Sequence, residues 1–302
     1  MVQGEFVMVD FYKKIFKDRE KRLKLVRLLS FIPDEPYIKL VFRLKSGKKL
    51  NLKNPQTFNE KLNWLKLHNK REEYTDLVDK LKVRTYITEK LSEDYLFPLL
   101  GEWDSFDEID FDSLPDSFVL KCNHDSGSVK IIKDKEKADK KELSRFFKGR
   151  LSINPSCLGR EYPYKNVKPK IIAEKLMESS DGKGIRDYKF FCFDGEPKMI
   201  YVASERDTDV KFDFFDMNFN HLDIYNTHPN AETVPEKPKN FEKMKELCPV
   251  LTKGIPFVRL DLYEIDSKIY FGEFTFFHCG GFYEFFPDEW NKKLGDLIEI
   301  SI

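Results

Sequence analysis

Lys121 follows Phe118, Val119 and Leu120 in the run FVLKC (118–122), which leads into the loop Asn123-His124-Asp125-Ser126-Gly127-Ser128. A lysine at a strand edge beside a loop of hydroxyls and backbone amides suits a polyphosphate, because amides and one ammonium together neutralise several oxygens. A surface hairpin carrying a solvated lysine has the same residues, so this segment by itself leaves both readings open. A second constellation lies in VRLDLYEIDSKIYFGEFTFF (258–277). Asp261 and Glu273 fall there on two apolar strands joined by a tight turn, and antiparallel pairing sets such positions side by side. Two adjacent carboxylates repel unless a cation lies between them, and magnesium bound to nucleotide phosphates takes one or two carboxylates in this way. The alternative is that Asp261 pairs with Arg259 or with a lysine. Arg259 stands an even step from Asp261 on the same strand and so shares its face, where a guanidinium can hold a carboxylate or a phosphoryl group.

The remaining chemistry-bearing residues give less. Asp110-Phe111-Asp112 has the aspartate-any-aspartate form with which many glycosyltransferases hold a metal and a sugar nucleotide, but no βα pattern precedes it, and solvated carboxylates in a loop account for it as well. His68, His124, His221, His228 and His278 show no metal-ligand spacing, and no serine or cysteine can be paired with a histidine as a triad. His124 and His278 nevertheless fall beside the two constellations.

These residues need strands and turns to position them. Short apolar runs punctuated by turn residues predict strands at 118–122, 129–132, 171–177, 187–193, 198–204, 212–216, 256–265 and 268–277. Asp194-Gly195 and Asp266-Ser267 are expected as hairpin turns. Helices are expected from Thr57, whose Thr57-Phe58-Asn59-Glu60 spacing is that of a capping box, from Tyr74, and over 139–149 and 240–252. The segment 10–32 reads as a basic amphipathic helix, stopped by Pro33 and Pro36, that could lie on an anionic membrane surface or pack on its own protein. Mixed helices and mainly antiparallel strands make the fold class α+β.

Fifty-two basic and 52 acidic side chains in 302 residues cancel, which argues against a simple nucleic-acid coat. The zero hides a basic head: residues 1–53 hold 14 Lys or Arg against 6 Asp or Glu, so the remainder is acidic by the same surplus of eight. Twenty-eight Phe and 13 Tyr supply ample material for a core and exclude a disordered chain. Five scattered cysteines suggest neither disulfides nor zinc, and no apolar run is long enough to span a membrane. A cytoplasmic protein is expected.

In order along the chain, TFNEKLNWLKLH, YTDLVDKLKVRTYI, FPLLGEWDSFDEIDFDSLPDSFVLKCNHDSGSV, YPYKNVKPKIIAEKLM, DYKFFCFDGEPKMIYVASER and FVRLDLYEIDSKIYFGEFTFF resemble the ATP-grasp superfamily, in the branch named after the teichuronopeptide-biosynthesis protein TupA. The resemblance covers about residues 55–300 and implies ATP held between two α+β subdomains, about 116–170 and 171–302, preceded by a basic helical region over 1–54. It implies that Lys121 contacts phosphate and that Asp125, Ser126, Gly127 and Ser128 form the loop closing over the phosphates. It further implies that the backbone of Glu174, Lys175 and Leu176 reads the adenine edge, with Glu178 or Asp181 at the ribose. Lys189 and Arg206 would be further phosphate contacts, and Asp261 and Glu273 the magnesium carboxylates. Thr275 stands where many members carry asparagine, a better metal ligand, and Cys279-Gly280-Gly281 lacks the proline usual just after these ligands.

The superfamily's usual reaction activates a carboxylate with ATP to an acyl phosphate that an amine then attacks. Phosphoryl transfer needs positioning and charge neutralisation rather than a protein nucleophile, which agrees with the lack of one. The expectation is an ATP- and Mg²⁺-dependent carboxylate–amine ligase of cell-surface, capsular polysaccharide biosynthesis. It would act on a uronic acid or glutamyl acceptor and an amine, with Arg259 stabilising the acyl phosphate. The 205–240 segment would offer aromatics to sugar rings, and residues 10–32 would provide contact with a membrane surface or assembly partner. The rival readings are a sugar-nucleotide glycosyltransferase working at Asp110 and Asp112, and a non-catalytic nucleotide-binding assembly protein.

Overall fold

The computed structural model describes residues 31–180, 185–204 and 210–301. The helix expected over 10–32 lies outside these residues except for its last two positions, and Asp181 and Arg206 lie outside them as well. Pro33 is the N-cap of helix α1 (Asp34–Ser46), with Pro36 in that helix's first turn. Proline is tolerated there because its fixed φ suits a helix and the first turn needs no intrahelical N–H. Gly47, at φ 74°, terminates α1 in the left-handed conformation. Tyr37, Ile38, Val41 and Phe42 of α1 pack with Leu50, Leu52 and Phe282, which joins this segment to the C-terminal part of the chain.

Helix α2 (Phe58–His68) opens with the expected capping box: Thr57 Oγ1 accepts from the Glu60 amide, and Glu60 Oε2 accepts from the Thr57 amide at 3.0 Å. The helical stretch expected from Tyr74 is two short helices, α3 (Glu73–Val78) and α4 (Val83–Lys90), because Asp79 leaves the helical conformation and its side chain accepts from the Leu81 amide.

Among the described residues, ten strands form two antiparallel sheets. The smaller contains β1 (Leu99–Trp103), β2 (Phe118–Cys122), β3 (Val129–Ile132) and β4 (Ile171–Lys175) in the order β1-β4-β2-β3. Helix α5 (Lys140–Leu151) covers it, placing Leu143 and Phe147 among Phe118, Leu120 and Ile171. Strand β1 has no counterpart among the expected elements. The larger sheet contains β5 (Arg186–Phe193), β6 (Glu196–Ser204), β7 (Lys211–Phe215), β8 (His221–Leu222), β9 (Val258–Ile265) and β10 (Lys268–Thr275), in the order β10-β9-β5-β6-β7-β8. A four-residue helix α6 (Ser156–Gly159) lies between α5 and β4, α7 (Phe241–Thr252) lies between β8 and β9, and α8 (Glu289–Asp296) follows β10.

Strand β5 is buried on both faces, as its nearly continuous apolar run requires. Phe190 packs on Phe241 of α7, whereas Phe191 turns the other way, to Phe58 of α2 and to His278. Lys189 shares the face of Phe191, because side chains alternate along a strand. Register carries that face across the sheet: Tyr201 lies opposite Lys189, Lys189 opposite Asp261, and Asp261 opposite Glu273.

The last of these pairings is not a product of regular register. From the Asp266-Ser267 turn (φ 49° and 63°), Ile265 pairs with Lys268 and Leu262 with Phe271. Continued without interruption, that register would set Asp261 against Gly272 and turn Glu273 to the opposite face. A bulge at Gly272 shifts the pairing by one residue and returns Glu273 to Asp261. A Cβ on Gly272 would stand 2.9 Å from the Asp261 carbonyl oxygen and 2.8 Å from the Tyr263 ring, so only glycine fits.

The two sheets are joined at β4. The Lys175 amide donates to Pro98 O at 2.9 Å, while Phe97 stacks on Tyr270 at 4.9 Å and meets Tyr263 edge-on. Beyond β4, the Ser180 amide and hydroxyl both donate to Asp266 Oδ1, at 3.0 and 2.6 Å.

Replacing Gly272 with alanine is expected to destabilise the protein by about 1–3 kcal/mol through overpacking against the β9 backbone. The urea midpoint measures this, and an unchanged midpoint would show that the bulge tolerates a side chain.

Candidate functional site

The larger sheet concentrates charge where a hydrophobic core would be expected. Asp261 is 1% exposed, and Arg259 and Lys189 are each 8% exposed. Arg259 holds Asp261 in a fork: Nε donates to Oδ1 at 2.7 Å and Nη2 to Oδ2 at 2.7 Å. Lys189 Nζ also donates to Asp261 Oδ2 and is paired with Asp187 at 2.5 Å. The reading in which Asp261 pairs with Arg259 or a lysine is therefore realised with both at once, and the same pairing leaves Asp261 facing Glu273.

Glu273 is less tightly held. Its Oε1 accepts from Arg259 Nη2 at 3.3 Å and from Thr275 Oγ1 at 3.4 Å, and its side chain is 32% exposed. Three carboxylates (Asp187, Asp261, Glu273) meet two fixed cations (Lys189, Arg259), an excess of negative charge whose most accessible oxygens are those of Glu273. That donor set fits a divalent cation taking one or two protein carboxylates and most of its ligands elsewhere. Among the described residues, no group of three or more His, Cys, Asp or Glu could hold a metal unaided.

Electrostatics follow from burial and pairing. Burial pushes the Asp261 carboxyl up, but Arg259 and Lys189 outweigh it and hold the group below the usual carboxylate range. Burial alone would lower the Arg259 pKa; Asp261, the Tyr201 phenol and Glu273 reverse this and raise it, so the guanidinium stays charged. His278 is pushed well below its ordinary value, by burial first and then by Arg259, and stays neutral. It lies 3.2 Å from Arg259 Nη1 through Nδ1 and 3.0 Å from Asn226 Oδ1 through Nε2. A neutral ring with Nε2–H donating to Asn226 leaves Nδ1 to accept from Arg259. Tyr201, whose ring lies 5.7 Å from the guanidinium carbon, completes the surroundings. Asn226 and Tyr201 are site residues that the sequence did not single out; His278 was marked there only by its place beside the second constellation.

In the smaller sheet, Glu174 lies between two cations, with Lys121 Nζ at 2.5 Å and Arg84 Nη1 at 3.9 Å. Lys121 sits opposite Ile172 on the neighbouring strand, so it and Glu174 are diagonal neighbours on one face. Arg84, on α4, also donates to Phe97 O at 3.1 Å; nothing in its sequence context marked it. Of the loop after β2, Ser126 and Gly127 are exposed while Asp125 and Ser128 turn inward and hydrogen-bond to each other. Lys80 donates to Asp125 O at 2.6 Å, and Asn123 is bound to Asp79 and to the backbone at Lys168 and Lys170. Lys175 is exposed, Leu176 is partly buried and Glu178 is exposed beyond the strand. Asp110 caps a single helical turn by accepting from the Asp112 amide at 3.0 Å, and both carboxylates are at the surface. Phe214 is core, whereas Tyr225 of the same aromatic segment is 46% exposed.

The TupA-like ATPgrasp family model matches residues 60–299. Solved structures similar to the chain include D-alanine–D-alanine ligase from Bacillus anthracis complexed with ATP (18% identity, TM-score 0.37, covering 66% of this chain and 53% of that one). N5-carboxyaminoimidazole ribonucleotide synthetase from Thermus thermophilus is another (9%, 0.38, 66% and 45%), as is a RimK domain ATP-grasp protein from Sphaerobacter thermophilus (10%, 0.40, 74% and 69%). The chain thus spans about half the length of the first two. No curated protein matches it. Among the described residues, no helix is long and apolar enough to cross a membrane.

The depressed Asp261 pKa fixes a direction of pH dependence. A carboxyl whose folded pKa lies below its unfolded value of about 3.9 stabilises the fold above that value and loses the contribution as pH falls through the folded one. Unfolding free energy should therefore decline from about pH 5 toward pH 2. Asp261→Asn, which strands two buried cations, should cost about 3–5 kcal/mol at pH 7 and show a shallower decline. Urea unfolding of both proteins across that range provides the check; parallel profiles would dissociate Asp261 from the acid sensitivity.

Proposed function

The chain belongs to the TupA-like ATP-grasp family, and from that membership and the site's geometry we propose that it is an ATP- and Mg²⁺-dependent carboxylate–amine ligase. The observation that carries the reading is the row Lys189–Asp261–Glu273 with Arg259 beside it. Cations and carboxylates alternate there on one face, with the more accessible carboxylate at the edge. Such an arrangement has the two properties phosphoryl transfer demands, fixed positive charge for developing oxyanions and a seat for a phosphate-bound divalent cation.

In this reading Glu273 and Asp261 hold magnesium, with the Thr275 hydroxyl behind Glu273; when bound, the ion neutralises phosphate charge. Lys121, with Glu174 and Arg84 around it, meets phosphates from the smaller sheet, and the exposed Ser126-Gly127 tip offers backbone amides to them. Asp125 and Ser128, turned inward, shape that loop from beneath. The backbone of Glu174, Lys175 and Leu176 borders the adenine, with Glu178 or Asp181 toward the ribose. Lys189 and Arg206 complete the phosphate contacts. Arg259, oriented by His278 and Asp261, holds the carboxylate and then the acyl phosphate formed from it. A uronic acid or glutamyl carboxylate of capsular polysaccharide or its precursors is the acceptor this family resemblance favours, and residues 10–32 are the place for a membrane or assembly contact.

Full-length protein with ATP, magnesium and a panel of uronic acids and amines is expected to release ADP and phosphate. Glu273→Gln should lower that release by about 100-fold or more, the scale of removing one charge-stabilising group from a phosphoryl-transfer site. Full activity in the variant would exclude the metal assignment. ATP–Mg²⁺ should raise the melting temperature where a UDP-sugar does not; the reverse result would favour glycosyl transfer at Asp110 and Asp112.

A further inference from the structure

Helix α2 buries a polar stripe beside its apolar one. Asn59, Asn63 and Lys66 stand at i, i+4 and i+7, so they share a face, and they are 1%, 0% and 1% exposed. Each donates to a carbonyl of the loop that follows β10. Asn59 Nδ2 donates to Tyr283 O at 2.9 Å, Asn63 Nδ2 to Gly281 O at 2.6 Å, and Lys66 Nζ to Gly280 O. Lys66 Nζ also donates to Asn63 Oδ1 at 3.1 Å and lies 4.0 Å from the centre of the Phe282 ring, which occupies all three N–H groups of an ammonium. Asn63 gives its second N–H to Asn59 O at 2.8 Å.

The loop comes so close to the helix that a Cβ on Gly281, at φ 67°, would stand 3.2 Å from Asn63 Nδ2. Cys279 (φ 49°) and Gly280 (φ 65°) before it are left-handed as well, a conformation that strains the cysteine and needs its surroundings to hold it. The stripe does the holding, and at a cost. A buried ammonium is tolerated only where its protons find partners, and burial pulls the Lys66 pKa down to about 7 against the attraction of Glu161. A methionine would fill a similar space without that cost but would hold no carbonyl.

What the held loop carries is His278. The Gly280 amide donates to Phe277 O at 2.8 Å and closes the turn around the histidine. The His278 ring lies 3.2 Å from Arg259 Nη1 through Nδ1 and 3.0 Å from Asn226 Oδ1 through Nε2, and Asn226 Nδ2 donates to Glu284 O at 3.0 Å. The loop is thus gripped by α2 along 280–283 and by Asn226 at 284. Each link from Lys66 to the guanidinium is a hydrogen bond or a step of two residues along the chain. Resting on the ligase reading, in which Arg259 holds the acyl phosphate, we propose that Asn59, Asn63 and Lys66 are positioning residues that fix residues 278–284 in one conformation and, through His278, set the guanidinium where the acceptor carboxylate is activated.

Two measurements on the full chain test this, one of them independent of the ligase reading. Lys66→Met keeps an apolar side chain on Phe282 and removes the bond to Gly280 O; Lys61→Met, which removes a bond of 2.8 Å from the same helix to Ile298 O, is the control. In protein with ¹⁵N-labelled histidine, the His278 ring signals, identified by their loss in His278→Gln, should report one Nε2–H tautomer in the unaltered chain and in Lys61→Met. In Lys66→Met they should shift or divide, as a ring released from Arg259 does. In turnover with whichever uronate–amine pair releases ADP, Lys66→Met should lower kcat by about 100-fold with the KM for ATP within about twofold, the mark of a small misplacement made at a distance from the chemistry. A role confined to stability would lower the melting temperature and leave kcat of the folded protein unchanged. Should Lys66→Met not fold, Asn63→Ser, which leaves the lysine in place, is read by the same two measurements. Unmoved His278 signals, or an equal loss of kcat in Lys61→Met, overturn the proposal. If no pair releases ADP, the ligase reading fails while the ring signals still decide the positioning.

Discussion

Asp261 is a buried carboxylate clasped by two buried cations, and most of what surrounds it follows from the need to keep it so. A charge at that depth is tolerable only with complete compensation, and losing one partner costs far more than the pair contributes. Arg259 supplies the compensation from the same strand and Lys189 from the neighbouring one. Their common face depends on the β5–β9 register, and Glu273 joins them only because Gly272 bulges. His278, anchored by Asn226, then fixes the guanidinium from the side opposite Asp261. Packing, register and electrostatics converge on one row of side chains, and that row is the strongest claim the molecule makes to a function.

The smaller sheet contributes a second, sparser centre around Glu174. Strand β4 carries it, and the same strand runs on toward the larger sheet, where Ser180 is held by the β9–β10 turn and Phe97 by Tyr263 and Tyr270. A ligand bridging Lys121 and the Asp261–Glu273 row would bear on this connection, which Lys80, Asp79 and Arg84 reinforce through Asp125, Asn123 and Glu174.

Much of the fold was legible in the sequence because it rested on local rules. The capping box at Thr57, the turns at Asp194-Gly195 and Asp266-Ser267, and the strands around Lys121, Lys189 and Asp261 stand where apolar alternation and turn chemistry put them. Pro36 carries two meanings that a sequence cannot separate, since proline follows one helix and opens the first turn of another; here it stands in the first turn of α1. The juxtaposition of Asp261 and Glu273 was expected from hairpin pairing, yet counting from the turn puts them on opposite faces; the glycine between Phe271 and Glu273 was the clue to the bulge. Arg84 and Asn226 could not be found in this way, and the contact between His278 and Arg259 could not either. They come from loops and helices far apart in sequence, and their roles depend on packing that no single-strand pattern encodes.

The account's central claim is that the Asp261–Glu273 row holds a divalent cation only with nucleotide phosphates, since both Asp261 oxygens already accept from cations. Electron paramagnetic resonance of Mn²⁺ titrated into the full chain, with and without a non-hydrolysable ATP analogue, measures this most directly. The expected result is binding at least about tenfold tighter with the nucleotide than the protein and the nucleotide together provide separately, as few-ligand phosphate-bridged sites require. A Mn²⁺ site of equal affinity without nucleotide, or nucleotide binding indifferent to the ion, would contradict it.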